Sequence, residues 1–333
     1  MTKLLKQFFI YTAALCLLAS CASSNQEVYL FTSFHEPSID GLRYLYSDDG
    51  LKWDSVPGVW LHPEVDNKDT TFIDAFTGET SKATFAPLGV MRDPSIVQGP
   101  DGIFHLVWTT AWGGSRGFGY AHSKDLIHWS KQRSIPVMAN IPTNNVWAPE
   151  ITYDPDSACY YIIWSSQIPL TEYTDADKLG TNRANRLYFT KTKDFNTFTP
   201  ARRYYDPGFN SIDAFLVRRA AKDYVLVVKD NRKPGFSNLF CVFGNSPEGP
   251  FSQRTESWGR TFTEGPCVTR LPDGQWVVYY DQYHPQEYGA SVTSDFRTFT
   301  PIFDRISVPS EHKHGTIIKV KKRVVKKLLK AAK

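Results

Sequence analysis

The stretch TEGPCVTRLPDGQWVVYYDQY, residues 263–283, contains two apolar segments of strand length joined by the tight turn Pro272-Asp273-Gly274. Aromatic and β-branched residues dominate both segments, and this composition favours an antiparallel pair of strands. The first strand begins with a carboxylate, Glu264, although most of the strand is apolar. A single acid at such a position is most simply a turn acceptor. A functional role becomes plausible only if the pattern is repeated along the chain.

The same strand–turn–strand unit occurs upstream at a spacing of roughly 50–75 residues, which is the length of a structural repeat. The earlier copies begin with the strands RDPSIV (92–97), WAPEITY (147–153) and SIDAFLV (211–217). Each copy continues into a third strand, an acidic turn and an aromatic residue. The turn aspartates recur, which indicates structural Asx-type turns rather than catalytic groups; they are Asp48, Asp125, Asp194 and Asp295.

These repeats predict an all-β fold, a single five-bladed β-propeller. The first copy, built on VYLFTSF (28–34), lacks an inner strand of its own, whereas KHGTIIKV (313–320) follows the last copy without a partner. Pairing these terminal strands completes one blade and closes the ring, which removes exposed strand edges. We therefore expect one propeller domain over residues 28–320.

The first twenty residues resemble a secretory signal. Lys3 and Lys6 precede an apolar run over 8–18 that is too short to span a bilayer, and Leu-Ala-Ser-Cys follows at 18–21. This ending resembles the lipobox of bacterial lipoproteins, in which the cysteine is lipidated. We expect a signal peptide over 1–20, a tether over 21–27, and a lipid anchor on Cys21 in the bacterial cell envelope. An ordinary secretory signal with an incidental Cys21 is the alternative.

The C-terminal stretch from residue 319 to residue 333 holds eight of the 38 Lys and Arg residues. Without this stretch and the signal the body of the protein is mildly acidic, and nothing in it suggests nucleic-acid binding. The basic tail over 321–333 could lie on an anionic membrane surface. We favour the alternative, a solvated or cloning-derived end.

Cys159, Cys241 and Cys267 lie on separate apolar strands and are expected to be buried free thiols, with one disulfide at most. Their spacing excludes a structural zinc site of the usual kind.

The positions at which the inner strands differ carry the candidate chemistry. The first residues of these strands converge at one mouth of the central channel, and they include His314, Asp93, Glu150, Asp213 and Glu264. Carboxylates gathered near one axis shift one another's pKa values, and such a cluster can separate an acid from a base, as glycoside cleavage requires. Separate turn acceptors are the structural alternative.

These motifs together resemble glycoside hydrolase family 43. The matching segments are Arg92-Asp93-Pro94-Ser95-Ile96, NVWAPEI (145–151), Ser211-Ile212-Asp213-Ala214-Phe215, Thr263-Glu264-Gly265-Pro266 and KHGT (313–316), and the resemblance extends over about 28–320. It implies that Asp93 is the general base, that Asp213 tunes the pKa and orientation of the acid, and that Glu264 is the general acid. One departure is that Asp93 follows an opening segment and a long insertion (57–90), whereas the family often has its base near the mature N-terminus.

The resemblance implies an inverting hydrolase of oligo- or polysaccharides. We expect Glu264 to be protonated at neutral pH because Asp213 raises its pKa. His314 would either bind a cation such as calcium, as its family counterpart often does, or be a buried structural histidine, and no cofactor is required for the chemistry. We expect a monomer whose substrate contacts come from Arg92, Trp112, Trp147, Glu150 and Trp164, with at least one of the three tryptophans in the core.

The sequence is also compatible with other functions. Fructosidase-like propellers also contain Arg-Asp-Pro, but their nucleophile lies one blade earlier, where this chain has Glu36 and no Asn-Asp-Pro. A propeller that binds glycans without cleaving them is a further alternative, although it has no use for a base and an acid in one channel. Among sugars, a terminal α-L-arabinofuranoside ranks first and a β-xyloside second, and galactofuranose is also open. The insertion over 57–90 suggests that one end of the channel is blocked.

Overall fold

The computed structural model describes residues 26–65, 71–82, 89–179, 183–233, 237–283 and 286–333. The predicted signal peptide and Cys21 lie outside the described residues. Four antiparallel strands form each of four blades, and three strands form the remaining one. In chain order the strands are β1 (Glu27–Ser33), β2 (Leu42–Ser47), β3 (Asp54–Leu61), β4 (Thr71–Ile73), β5 (Thr80–Lys82), β6 (Arg92–Gln98), β7 (Phe104–Thr109), β8 (Phe118–Ser123), β9 (Arg133–Ile135), β10 (Trp147–Asp154), β11 (Cys159–Gln167), β12 (Asn185–Thr192), β13 (Arg202–Arg203), β14 (Ser211–Ala220), β15 (Asp223–Asp230), β16 (Leu239–Gly244), β17 (Thr263–Arg270), β18 (Trp276–Tyr283), β19 (Gln286–Thr293), β20 (Thr300–Pro301) and β21 (Ile317–Lys321).

The predicted five-bladed propeller is confirmed, with the blades β21-β1-β2-β3, β6–β9, β10–β13, β14–β16 and β17–β20 in ring order. The inner strands β21, β6, β10, β14 and β17 surround the axis, and each contacts the inner strand of the next blade. Buried apolar clusters fill the spaces between neighbouring blades. Each blade therefore buries its two faces against its neighbours, as the apolar strands of the repeats require.

The ring closes by pairing of the terminal strands, as the sequence predicts. β21 lies antiparallel to β1, with Val28 opposite Val320 and Phe31 opposite Ile317, and a further bridge joins Phe34 to Lys313. Both β-strands carry buried side chains along this seam. The C-terminal strand is thus the inner strand of the first blade.

The recurring turn aspartates are structural, although the first one is a residue later than expected. Asp125 Oδ1 accepts the backbone N–H groups of Ile127 and His128, and Asp194 and Asp295 make the same Asx-type turn in their blades. In the first blade Asp49 makes this turn, because it follows Ser47 by two residues, as Asp125 follows Ser123. Asp48 instead pairs with Lys322.

The basic tail is not a solvated end, which corrects the favoured expectation. Lys322–Ala331 forms helix α1, and its residues Val325 and Leu328 are buried against β1, β3 and β21. The apolar residues recur on one face of the helix, so the chain gains core area by continuing beyond the propeller. Among the described residues, no helix has the length and apolar character needed to cross a membrane.

Cys159, Cys241 and Cys267 are free thiols, as expected, with Cys159 half-buried and the other two buried.

Candidate active site

Inner strands β6, β10, β14 and β17 each contain a β-bulge near their first residues. The bulges contain Asp93, Ala148, Asp213 and Gly265, whose φ angles lie between 46° and 59°. This left-handed region is unfavourable for residues with a Cβ atom, and bulges beside active sites re-aim side chains. Asp93 and Asp213 therefore occupy equivalent, re-aimed positions on two non-adjacent blades.

The carboxylates do not form one ring, because Glu150 lies deeper along the axis. It follows the bulge residue Ala148 by two positions, on the level of Ser95, and its Oε2 accepts a hydrogen bond from Thr316 Oγ1 at 3.1 Å. Burial raises the pKa of Glu150 to about 8. The predicted substrate contact of Glu150 is not supported, since this side chain is hydrogen-bonded below the cavity described next.

A cavity of about 690 Å³ opens above these strands at the mouth of the central channel. The three predicted catalytic carboxylates, Asp93, Asp213 and Glu264, all line it. The other lining residues are Arg92, Trp112, Trp147, Ala148, Arg183, Asn185, Ile212, Asn231 and Lys233. The structure thus brings the three carboxylates to one space that is large enough for a small ligand.

Asp93 is held in its ionised form by its neighbours. Thr109 Oγ1 donates a hydrogen bond to Asp93 Oδ2 at 2.8 Å, and His314 Nδ1 lies 3.3 Å from Oδ1. Burial alone would raise the pKa of Asp93, but the hydrogen bond from His314 and the charge of Arg92 outweigh burial and lower it. A carboxylate in this state can accept a proton from water.

His314 serves as the partner of Asp93. Burial would lower its pKa, but the hydrogen bond and charge of Asp93 and the charge of Asp213 raise it to about 10. The backbone N–H of His314 donates to Asp281 Oδ2 at 3.0 Å, so the residue is fixed on both sides. Its position at the axis is therefore explained by an ion pair.

The calcium predicted near His314 has no cluster of protein ligands among the described residues. No group of three or more His, Cys, Asp or Glu side chains in the described ranges is arranged to hold a metal ion. The Nδ1 atom of His314 is already directed at Asp93. A calcium ion near His314 stays a prediction.

Glu264 contacts a cation that the sequence analysis missed. Lys229 on β15 is buried, and its Nζ forms an ion pair with Glu264 Oε2. Burial raises the pKa of Glu264, but the charge and hydrogen bond of Lys229, together with a hydrogen bond from Tyr283, outweigh burial and lower it. The expectation that Glu264 has a raised pKa and is protonated at neutral pH is therefore wrong for this arrangement. The available signal was a lysine at the end of the apolar strand YVLVVKD.

Asp213 has the raised pKa instead. Its Oδ2 accepts the backbone N–H of Gly265 at 3.0 Å, which places the carboxylate beside the start of β17. Burial raises the pKa of Asp213 to about 6, with a further contribution from the charge of Glu264 and opposition from His314. Asp213 therefore takes up a proton as the pH falls through about 6.

Arg92, Trp112 and Trp147 form one wall of the cavity. The Arg92 guanidinium stacks on the Trp112 ring, 3.9 Å from its centroid, and forms an ion pair with Glu36. Trp147 Nε1 donates to the carbonyl oxygen of Trp112 at 3.0 Å. This wall combines a cation with indole rings, a combination suited to the faces and hydroxyl groups of sugars.

Trp164 is part of the core, contrary to its predicted role in substrate binding. Its side chain is fully buried between blades, near Phe118 and Tyr188, and its Nε1 donates to Ser166 Oγ at 3.1 Å. The expectation that at least one of the three tryptophans packs in the core is confirmed. Alternation along β11 directs this ring into the space between sheets.

Comparisons with known proteins agree with this architecture. A family model for family-43-related glycosyl hydrolases, described as "Probable glycosyl hydrolase domain", matches residues 80–325. A curated α-L-arabinofuranosidase of Bifidobacterium longum subsp. longum is 25% identical over an alignment of 207 residues, which covers 56% of this chain and 19% of that protein. The present chain therefore spans about a fifth of this relative.

Solved structures share the fold at low sequence identity. An endo-arabinase from Bacteroides thetaiotaomicron superimposes with a TM-score of 0.56 and 13% identity, covering 84% of this chain and 90% of that one. A thermostable family-43 glycoside hydrolase superimposes with a TM-score of 0.52 and 14% identity, covering 66% of this chain and 75% of that one. The family model extends over most of the sequence and includes all three carboxylates of the cavity, and the chain belongs to the family-43-related glycosyl hydrolases.

Proposed function

We propose that the protein hydrolyses terminal α-L-arabinofuranosyl residues of plant-type polysaccharides with inversion, and β-xylosides as the second choice. The observation that carries the proposal is the environment of the three carboxylates in one cavity. Asp93 is held ionised, whereas burial raises the pKa of Asp213 to about 6 and the charge of Lys229 lowers the pKa of Glu264. Separate acid and base states in one cavity are what glycoside hydrolysis requires.

In the proposed reaction, water attacks the anomeric carbon in a single displacement. Asp93 accepts a proton from this water as its oxygen forms the new bond to carbon. Glu264 gives a proton to the glycosidic oxygen, which leaves with the bonding electron pair. Asp213 accepts the backbone N–H of Gly265 and so positions the chain next to Glu264, while the charge of Glu264 helps to raise the pKa of Asp213.

The choice of sugar rests on the relatives. The Bifidobacterium longum relative is an α-L-arabinofuranosidase, and this supports arabinofuranose as the first candidate. The wall formed by Arg92, Trp112 and Trp147 fits a compact, hydroxyl-rich ring. A screen on aryl glycosides of arabinofuranose, xylose and galactofuranose separates these candidates.

Proton NMR of the first-formed sugar tests the mechanism. We expect hydrolysis of the aryl α-L-arabinofuranoside with release of the β-anomer first. Release of the α-anomer first would contradict the role of Asp93 as a base. Glycan binding without hydrolysis of any of these glycosides would favour the alternative, a glycan-binding propeller.

We also propose that a lipid on Cys21 anchors the protein in the bacterial cell envelope. The Leu-Ala-Ser-Cys sequence at 18–21 supports this proposal. Metabolic labelling with a radioactive fatty acid should mark the wild-type chain, and Cys21→Ala should lose the label and release soluble protein. Equal labelling of both chains would overturn the anchor.

A further inference from the structure

A second cleft lies beside the cavity and is built partly by the insertion that the family resemblance does not explain. Its volume is about 380 Å³, and Arg183 lines both the cleft and the cavity. Phe72 and Phe76 of the β4–β5 hairpin form one side of it, and Asn144 belongs to the opposite loop. The insertion therefore adds binding space beside the cavity.

The hairpin is fixed against the loop that joins β9 to β10. Thr143 N–H donates to the carbonyl oxygen of Ile73 at 2.8 Å, and Ala75 N–H donates to Asn144 Oδ1 at 2.8 Å. Asp74 Oδ1 accepts the N–H of Phe76 at 2.7 Å, which orders the tip of the hairpin. The position of Phe76 is thus set by hydrogen bonds before any ligand arrives.

Phe76 remains 43% exposed although it is a large apolar side chain. An exposed ring facing amide groups across a cleft is the usual composition of a carbohydrate platform, because sugar C–H faces pack on aromatic rings while amides bind hydroxyl groups. Here the accessible amide is that of the half-buried Asn144, whereas Asn145 and Gln167 are buried and hydrogen-bonded within the protein.

We propose that this cleft binds further neutral sugar units of the same glycan, on the leaving-group side of the cleaved bond. The proposal rests on the proposed function, since a terminal sugar in the cavity leaves only the aglycone to extend outward through the opening shared at Arg183. This role of the insertion over 57–90 replaces the expectation that it blocks one end of the channel. Phe76 then determines preference for glycans over small aryl glycosides.

Phe76→Ala tests this proposal, with Phe76→Tyr as the matched control that keeps the ring. On an arabinoxylan oligosaccharide, Phe76→Ala should raise KM by about tenfold, the loss expected for one aromatic contact. On the aryl arabinofuranoside, kcat/KM should stay within about twofold, and Phe76→Tyr should resemble the wild type on both substrates. An equal loss on both substrates, or no loss on the oligosaccharide, would contradict the binding of sugar units in the cleft.

Calorimetric titration with the same oligosaccharide separates this proposal from the function itself. A wild-type protein that binds it but cleaves no glycoside would contradict the proposed function, while weaker binding by Phe76→Ala would still support the cleft. Unchanged binding by Phe76→Ala would contradict the cleft whether or not the wild type is an enzyme.

An independent observation concerns helix α1 and the N-terminal tether. The outer face of α1 carries exposed cations without ion-pair partners among the described residues, namely Arg323, Lys326, Lys327 and Lys330, and the exposed Lys333 follows the helix. No acidic residue occurs between 319 and 333. The outer face is therefore a concentrated positive surface on a packed element.

The tether leaves the propeller beside this surface. Lys322 N–H donates to the carbonyl oxygen of Gln26 at 2.8 Å, and Glu27 pairs with Lys321 in the sheet. Gln26 is five residues after Cys21, so even an extended tether spans only about 17 Å. His314, at the other end of the same inner segment, pairs with Asp93 of the cavity. The helix and the tether thus lie at the end of the axis opposite the cavity.

We infer that α1 docks on an anionic lipid surface and turns the cavity away from the membrane. Charge complementarity carries the choice of partner, because each Lys or Arg near an anionic bilayer adds to binding. A lipid on Cys21 and a basic patch would then be the two signals that stable anchoring requires.

Vesicle co-sedimentation tests this inference with the chain from residue 22 onward, which retains every described element and lacks Cys21. It should bind vesicles of equal parts phosphatidylglycerol and phosphatidylcholine, and Lys326→Glu/Lys330→Glu should weaken binding by about tenfold or more. Lys178→Glu/Lys233→Glu makes the same change in net charge away from α1 and should bind like the wild type. Equal binding to pure phosphatidylcholine, or an equal loss in the control, would overturn the docking surface.

Discussion

At the scale of single residues, the protonation of Glu264 depends on Lys229 more than on Asp213. The lysine is buried against the carboxylate, and its positive charge favours the ionised form. A general acid must be protonated to act, so this contact moves the alkaline limit of activity to lower pH. Asp93 limits activity at the acidic side, because its lowered pKa keeps it ionised until low pH.

Replacement of Lys229 should therefore change the pH dependence. Lys229→Met keeps much of the volume and removes the charge, so the pKa of Glu264 rises and activity persists to higher pH. We expect the alkaline midpoint of the kcat/KM profile to move upward in this variant. Lys233→Met, which removes an exposed lysine of the same cavity, should leave the midpoint in place. A midpoint that stays or moves downward in Lys229→Met would contradict this role.

Sequence patterns could predict which carboxylates meet, but not their depth or partners. Asp93, Asp213 and Glu264 occur at the starts of repeated strands, and repetition fixes which strand ends converge. The bulges decide the direction of each side chain, and they leave no pattern that locates Glu150 one level deeper. The Lys229–Glu264 pair joins different blades, so no residue spacing within one repeat predicts it.

At the scale of elements, α1 is an integral part of the first blade. The repeat pattern ends at β21, so composition alone suggested a solvated tail. The structure instead buries Val325 and Leu328 beside Val28 and Leu30. Packing of one helical face, together with pairing of Lys322 to Asp48, holds the element in place.

Leu328→Ala tests whether α1 belongs to the folded domain. Loss of a fully buried leucine should lower the free energy of unfolding by about 2–5 kcal/mol, because the cavity left behind adds to the lost burial. Lys327→Ala, on the exposed face, should change it by less than about 0.5 kcal/mol. Chemical denaturation of both variants measures the difference, and equal stabilities would show that the helix contributes nothing.

At the scale of the whole molecule, ring closure makes the ends of the chain interdependent. The terminal strands β1 and β21 share one blade although they are nearly 300 residues apart. The repeats predict this closure because the first copy lacks an inner strand and the last strand lacks a partner. What they do not predict is the second cleft, which depends on how an insertion without repeat character packs on another blade.

Deletion of residues 313–333 should abolish cooperative folding. It would expose the apolar inner edge of β1 and open the ring, and an unpaired edge of this kind promotes aggregation. Thermal unfolding followed by circular dichroism should show no native-like transition, whereas a chain that lacks only residues 332 and 333 should unfold like the wild type. A cooperative transition in the longer deletion would contradict closure as a condition for folding.

The central claim is that Glu264 is the acid and Asp93 the base of a glycoside hydrolase. Its most direct test is the ratio of activity losses on a glycan and on an aryl glycoside with an acidic phenol. Glu264→Gln cannot protonate the leaving oxygen, so glycan hydrolysis should fall by about 10²–10⁴-fold while the activated aryl glycoside loses much less. Asp93→Asn, which no longer activates water, should slow both substrates alike. Equal losses on both substrates in Glu264→Gln, or scarcely any loss, would contradict the account.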